Sequence, residues 1–353
     1  MCGEKEKLRM RLVIVEREPL NAETPPDALA EPLTPAELFY VRYHVPRLDP
    51  ERWRLRVEGA VERAAALAGR PTATPLADDH GDTRVRGQWP YPADPHAGRH
   101  ALASGAAGTA RFSAYRSPWC WIRRGLRPEA VELLFAGADQ GEVEPGRVEP
   151  FARSLPVEEA RGPDVLLAWA MNDEPLPAEH GFPVRLVVPG WYGMASVKWL
   201  QRIVALERAF AGYFQREHYR YIGGDDPAGD APPVTRARVR SLILRPADGA
   251  RLPLGPVEVG GVVWSGYGPV TRVQVSIDGG ASWAEADLGT SQGPYAARPW
   301  SFRWRPLQPG RYTVLARATD ALGNVQPLSP PWNRLGYGNN ACHAIQVVVG
   351  QEG

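Results

Sequence analysis

The apolar run Leu186-Val187-Val188-Pro189 leads directly into Gly190-Trp191-Tyr192-Gly193-Met194-Ala195-Ser196-Val197-Lys198-Trp199-Leu200. No other stretch restricts the fold of this chain as much. The apolar run reads as a buried strand. The two glycines end it in a loop that carries a hydroxyl, an ammonium and two indoles. In such a loop, backbone N–H groups, Ser196 and Lys198 can converge on an anionic group. A plain β-turn with a solvated lysine has the same G-x-x-G spacing, so the loop alone leaves both readings open.

The chain has 353 residues, enough for two domains and a sizeable core. Lys plus Arg number 41 and Asp plus Glu 40, so no global field points to nucleic acid or an anionic membrane surface. Arginine outnumbers lysine, which suits sites that fork onto oxyanions. Cys2, Cys120 and Cys342 show no C-x-x-C spacing, so neither a disulfide framework nor a zinc site is indicated. The opening residues Met1-Cys2-Gly3-Glu4-Lys5-Glu6-Lys7 have no apolar core, and no apolar run approaches a membrane span. These features give the expectation of a soluble cytoplasmic protein, with a periplasmic location left open.

Along the chain, residues 1–38 are rich in Pro and Glu and read mostly as loop, with a short helix start over 33–38. Trp53-Arg54-Leu55-Arg56-Val57-Glu58-Gly59 alternates as a strand. Residues 131–135 read as a strand, 136–141 as a loop, and 165–171 as a buried strand or short helix. Residues 202–216 close the first domain. A linker rich in Gly, Asp and Pro over 223–233 marks the boundary, giving an α+β domain over 1–230 and an all-β domain over 231–353. In the second domain, strands are expected over 241–244, 257–264, 270–277 and 311–317, with a hairpin turn at Asp278-Gly279-Gly280. That spacing predicts a small antiparallel sandwich of immunoglobulin type.

His180-Gly181-Phe182-Pro183-Val184-Arg185 and the glycine loop together resemble the signature of the sulfite oxidase family of molybdopterin enzymes. The resemblance covers roughly residues 15–59 and 125–349 and implies a molybdopterin-binding domain followed by an immunoglobulin-like dimerisation domain. It implies pterin contacts from Tyr40, Arg42 and His44, from Asp139 in Gly137-Ala138-Asp139-Gln140-Gly141, and from His180, Arg185, Ser196, Val197 and Lys198. It implies catalytic roles for Tyr219, beside the reacting oxygen, and for Arg42, lining the anion pocket. The chemistry is coherent with those roles. A pterin phosphate needs charged donors such as Arg185 and Lys198 with a serine and loop amides, and a pterin ring needs mixed donors and acceptors. Taken singly, His44 and His180 read as structural histidines, Arg42 as a surface ion pair and Asp139 as a turn residue, and it is their joint occurrence in this order that favours the functional reading. The sequence departs from the family pattern at His218, commonly an aspartate, and at Tyr43, commonly an asparagine. Asn333 matches the sandwich's C-terminal motif, whereas Arg334 is one position away from the family arginine.

The family also uses a cysteine thiolate on molybdenum, a soft ligand in a Cys-Ala-Gly-Asn-x-Arg loop. No such motif is present, the three cysteines read as free thiols, and no metal ligand is assigned. The gap falls in residues 60–124, a segment with almost no apolar periodicity and too long for a structureless loop inside a compact domain. Val85-Arg86-Gly87-Gln88-Trp89-Pro90 can be encoded GTG CGC GGG CAA TGG CCG. Without its first base, that string reads Cys-Ala-Gly-Asn-Gly-Arg. Parts of 60–124 therefore read as a frame-shifted translation of the cysteine loop, whereas Gly108-Thr109-Ala110-Arg111-Phe112 looks family-like in the printed frame. If the printed residues are genuine, the shifted parts should pack poorly.

The resulting expectation is a molybdenum–molybdopterin oxidoreductase that transfers an oxygen atom to a small oxyanion such as sulfite. Electrons would pass to an external acceptor, and two chains would pair through the sandwich. Nitrate reduction is a related activity that the sequence leaves open. The rivals are a relative that binds pterin without turnover and a pure interaction protein.

Overall fold

The computed structural model describes residues 11–17, 20–42, 48–49, 51–68, 82–88, 106–115, 125–224 and 230–350. In the N-terminal half, Arg54–Gly59 alternates as its sequence requires, with Leu55 and Val57 buried and Arg54 and Arg56 outward. The strand pairs in parallel with Leu200–Leu206 and antiparallel with Ala65–Ala68. Leu200–Leu206 in turn pairs with Glu132–Glu144, and that strand with Arg147–Pro156. Leu55, Val57, Leu133, Phe135, Leu155 and Ile203 bury the inner face of this five-stranded sheet. Each such side chain contributes about 1.5–3 kcal/mol of burial.

A second sheet is built on Leu166–Met171, which takes Thr109–Tyr115, Arg185–Val187 and Glu174–Pro175 as partners. Asp82–Gln88 extends it beyond Thr109–Tyr115. A small third sheet of Val13–Glu16, Asn21–Glu23 and Val41–Arg42 fixes the backbone at Arg42, which pairs with Asn21. Helix is scarce among the described residues, and the start expected over 33–38 is a single 3-10 turn, Ala36–Leu38.

The loop expected over 136–141 instead lies inside the strand Glu132–Glu144. Its composition is that of a turn, but the neighbouring strands bond the backbone on both sides of a bulge between Ala136 and Gln140. The bulge turns Asp139 inward. Gly137 is required there, because a Cβ would lie 2.1 Å from Asp139 Oδ1 and 2.7 Å from the Lys198 carbonyl. Of residues 60–124, the described 106–115 pack in the core through Ala110, Phe112 and Ala114. Most of the remainder, Cys120 included, lies outside the described residues.

Beyond residue 239 two sheets face one another, antiparallel throughout except where the short edge strand Arg251–Leu252 runs parallel to His343–Val349. One contains Arg240–Arg245, Val257–Trp264, Arg298–Trp304 and Asp287–Leu288. The other contains Arg251–Leu252, His343–Val349, Gly310–Asp320, Val270–Ser276 and Ala284–Glu285. Val259, Val263, Val273, Val275, Trp300, Val314 and Ile345 fill the space between them. The turn at Asp278-Gly279-Gly280 forms as expected, with both glycines at positive φ. Two main strands escape the sequence reading: Arg298–Trp304, disguised by Pro299, and His343–Val349.

The two halves are laced together at the glycine loop. Ala237 N–H donates to the Gly190 carbonyl at 2.8 Å, and Tyr192 N–H donates to the Thr235 carbonyl at 3.0 Å. Gly190 has φ +79°, and a Cβ there would meet the Tyr295 ring at 2.7 Å, so a sandwich residue packs directly on the loop. Arg236 Nη2 adds an ion pair with Glu159, donating to both carboxylate oxygens at 2.7 and 2.9 Å. Among the described residues, no helix is long and apolar enough to cross a membrane.

Candidate functional site

One cavity collects residues from distant parts of the chain. Its wall includes Tyr40, Arg42, Asp139, His180, Arg185, Ser196, Lys198 and Tyr219, together with Phe39, Phe112, Phe151 and Met194. Each polar member is held by its local structure. Arg185 opens the strand Arg185–Val187 and is buried. Its guanidinium donates to the carbonyls of His180 at 3.1 Å, Ser196 at 3.2 Å and Leu186 at 3.4 Å. Burial lowers its pKa to about 10, so it stays cationic at neutral pH.

Lys198 donates to the carbonyls of Arg42 at 3.1 Å and Glu179 at 2.9 Å, and its ammonium sits 4.4 Å above the Trp199 ring. Burial, reinforced by Arg185, lowers its pKa. Backbone carbonyls accept from both cations, and Asp139 and Glu179 add negative charge near Lys198. Trp199 takes φ +49°, an uncommon conformation for a bulky residue, and its indole N–H donates to the Ala178 carbonyl at 2.8 Å.

Asp139 lies near Lys198. Burial raises its pKa, against the opposing pull of a backbone hydrogen bond and Lys198. Its Oδ1 has no hydrogen-bond partner among the described residues. His180 Nε2 lies 3.0 Å from the Ala36 carbonyl and must donate to it. That leaves Nδ1 as the acceptor of a neutral ring. Burial, then Lys198 and Arg185, lowers the His180 pKa to about 3. The Ser196 hydroxyl oxygen accepts from Val188 N–H at 3.0 Å, so its own hydrogen is directed elsewhere.

Val197 is placed differently. Its side chain is fully buried in the core and its N–H donates to the Ala195 carbonyl at 3.2 Å, within the loop. His44 lies outside the described residues. Tyr219 is buried and follows a π-helical turn, Phe214–His218. The Arg153 guanidinium stands 5.4 Å over the Tyr219 ring and donates to the Phe214 carbonyl. Arg153 and the aromatic wall escape the sequence reading. A lone arginine inside the apolar strand segment Phe151-Ala152-Arg153-Ser154-Leu155 was the available signal.

A pterin carrying a phosphate suits this donor set. Asp139 supplies a buried oxygen, Oδ1, without a partner among the described residues, His180 a ring nitrogen, Ser196 a hydroxyl, and Arg185 and Lys198 the charge that a phosphate needs. The metal of such a cofactor finds less. Among the described residues, no group of three or more His, Cys, Asp or Glu could hold a metal ion. The free cysteine among them, Cys342, is buried in the sandwich.

Two family models match the chain. The oxidoreductase molybdopterin binding domain covers residues 42–214, and the Mo-co oxidoreductase dimerisation domain covers residues 232–350. Mitochondrial sulfite oxidase of Rattus norvegicus is 34% identical, with 96% of this chain and 66% of that protein covered. This chain therefore spans just under two thirds of the rat protein. Sulfite oxidase of Gallus gallus is 34% identical over 94% of this chain and 77% of its own length. The crystal structure of the sulfane dehydrogenase SoxCD from Paracoccus pantotrophus shares the fold. Its TM-score is 0.81 at 24% identity, covering 98% of this chain and 90% of that one.

Proposed function

The chain belongs to the sulfite oxidase family of molybdopterin oxidoreductases, and on that premise we propose that it oxidises a small sulfur oxyanion of the sulfite type and passes two electrons to an external acceptor. The observation that carries this reading is the cavity itself, where Asp139 Oδ1, buried and without a hydrogen-bond partner among the described residues, shares a wall with Lys198 and Arg185. In this reading the domain boundary falls near residue 231, and the sandwich pairs two copies of the chain.

Bound there, a molybdenum–pterin centre would supply two-electron oxygen transfer, chemistry that side chains cannot provide. The residues bind and orient. Arg185, Lys198 and Ser196 hold the pterin phosphate, and Asp139 and His180 hold the ring edge. Arg42 offers a charged fork for the oxyanion, and the Tyr219 phenol donates a hydrogen bond to it. Phe39, Phe112, Phe151 and Met194 keep bulk water from the wall, which strengthens each of these interactions. His44 and Val197 remain part of the proposed pterin set.

A second reading, a pterin-binding relative without turnover, is favoured by one observation: no thiol lines the cavity among the described residues. Metal and pterin analysis of purified protein, followed by sulfite-dependent reduction of ferricyanide, separates the two. Molybdenum with pterin and turnover supports the oxidase, and pterin without molybdenum supports the second reading. A preparation with neither overturns both.

A further inference from the structure

The sandwich half reaches the candidate site through a short relay. Asn333 is buried and braces Tyr337 twice. Its Nδ2 donates to the Tyr337 carbonyl at 2.8 Å, and Tyr337 N–H donates to its Oδ1 at 2.9 Å. The Tyr337 hydroxyl then lies 2.9 Å from His218 Nε2, across 119 residues of chain. His218 ends the π-helical turn Phe214–His218, and the next residue, Tyr219, lines the cavity. Such turns are rare and concentrate at functional sites. The His218 ring meets the Tyr219 ring edge-on at 4.8 Å, and the Tyr337 ring lies 5.4 Å from that of Tyr219.

Adjacent contacts hold the same seam. Arg334 N–H donates to the Ile222 carbonyl at 2.7 Å. Arg238 donates to the Gly338 carbonyl at 3.1 Å while standing 4.4 Å over the Tyr221 ring. Residues 214–222 are therefore gripped on one side by the 333–338 loop and on the other by Arg153.

We propose that His218 and Tyr337 form a cross-domain positioning pair. Tyr337, braced by Asn333, fixes the π-helical turn and with it the direction of the Tyr219 phenol in the cavity. Oxyanion affinity at the site then depends on a residue of the sandwich. The pair rests on the proposed reading of the cavity as an oxyanion site, and it uses His218 where the family commonly has an aspartate. A contact that only joined two halves would change stability and leave anion affinity alone.

The test uses the full chain as purified, with inorganic sulfate as the calorimetric probe and amide exchange across 214–222 as a second readout. Tyr337→Phe removes one hydroxyl and His218→Phe removes the partner nitrogen, whereas His218→Gln restores an amide near the Nε2 position. We expect Tyr337→Phe and His218→Phe to weaken sulfate binding about three- to tenfold and to speed exchange at 214–222 by a similar factor, the reach of one part-buried hydrogen bond. His218→Gln should stay within about twofold of wild type on this scale. Wild-type sulfate affinity in both Tyr337→Phe and His218→Phe overturns the proposal, as does a His218→Gln chain that behaves like His218→Phe. If the wild-type chain does not bind sulfate, the oxyanion reading fails instead. Exchange at 214–222 then decides the positioning claim: unchanged exchange in Tyr337→Phe overturns it, and faster exchange with rescue by His218→Gln supports it.

Discussion

The Lys198 ammonium donates to the Arg42 carbonyl at 3.1 Å, joining two motifs that lie 156 residues apart. The same ammonium reaches the Glu179 carbonyl at 2.9 Å, so one side chain ties the glycine loop to both the early strand and the 3-10 turn Ala178–His180. Replacing it separates binding from folding. Lys198→Met should lower co-purifying pterin about tenfold or more, the loss of one charge-assisted contact. Removing a buried ammonium also relieves a desolvation penalty, so unfolding stability should change by less than about 2 kcal/mol. Pterin fluorescence after oxidation and a urea titration check the two halves of this expectation.

Asp139→Asn tests the opposite charge. The carboxyl group is buried with one oxygen unpartnered among the described residues, a costly arrangement in the chain without ligand. The amide should raise the melting temperature of ligand-free protein by a few degrees, roughly the effect of 1 kcal/mol. It should also reduce pterin content, because an amide is a weaker acceptor than a carboxylate. A variant that loses stability and keeps its pterin would contradict the assignment.

Gly137→Ala isolates the bulge. The added methyl would press on Asp139 Oδ1 at 2.1 Å and the Lys198 carbonyl at 2.7 Å. The latter is backbone and cannot swing away. Destabilisation of about 1–3 kcal/mol is expected, as for other overpacked sites. Gly125→Ala, where the backbone is not left-handed and an added Cβ would meet only the Glu62 nitrogen at 3.8 Å, provides the control. Denaturant midpoints compare the two.

The acid side of the stability curve should carry a signature of His180. Its pKa is about 6.5 in the unfolded chain and about 3 in the folded one. Between those values the unfolded chain binds a proton that the folded chain refuses, so stability falls as pH drops below 6.5. At pH 5 the loss is about 2 kcal/mol for this one group. His180→Gln can still donate to the Ala36 carbonyl but cannot titrate, so its stability should vary less between pH 7 and pH 5. Equal slopes in the two proteins would contradict the burial argument.

The gene itself gives a further test. Sequencing across residues 60–124 should find compensating single-base changes that restore a Cys-Ala-Gly-Asn-Gly-Arg loop. An uninterrupted frame identical to the printed chain would overturn the frame-shift explanation and leave the missing thiolate genuine.

Much of the site was legible because its parts are local. His180, Arg185, Ser196 and Lys198 lie within nineteen positions of one another, and the turn at Asp278-Gly279-Gly280 announces its hairpin by composition alone. What escaped depends on partners far away in sequence. Ala136–Gly141 has the composition of a loop, yet two neighbouring strands draw it into a bulged strand. Arg153 stands out in sequence only as a lone arginine in an apolar segment, and its partners, the Tyr219 ring and the Phe214 carbonyl, lie more than sixty positions away. The Tyr337–His218 bond joins residues that no periodicity connects.

The central claim is that the cavity walled by Asp139, Arg185, Ser196 and Lys198 is a pterin site. Its most direct measurement is the pterin content of the purified full chain beside that of Lys198→Met prepared in parallel from a molybdopterin-producing host. About one pterin per wild-type chain is expected from this one cavity, together with a loss of about tenfold in the variant. Absence of pterin from the wild-type chain, or equal amounts in both proteins, would contradict the account.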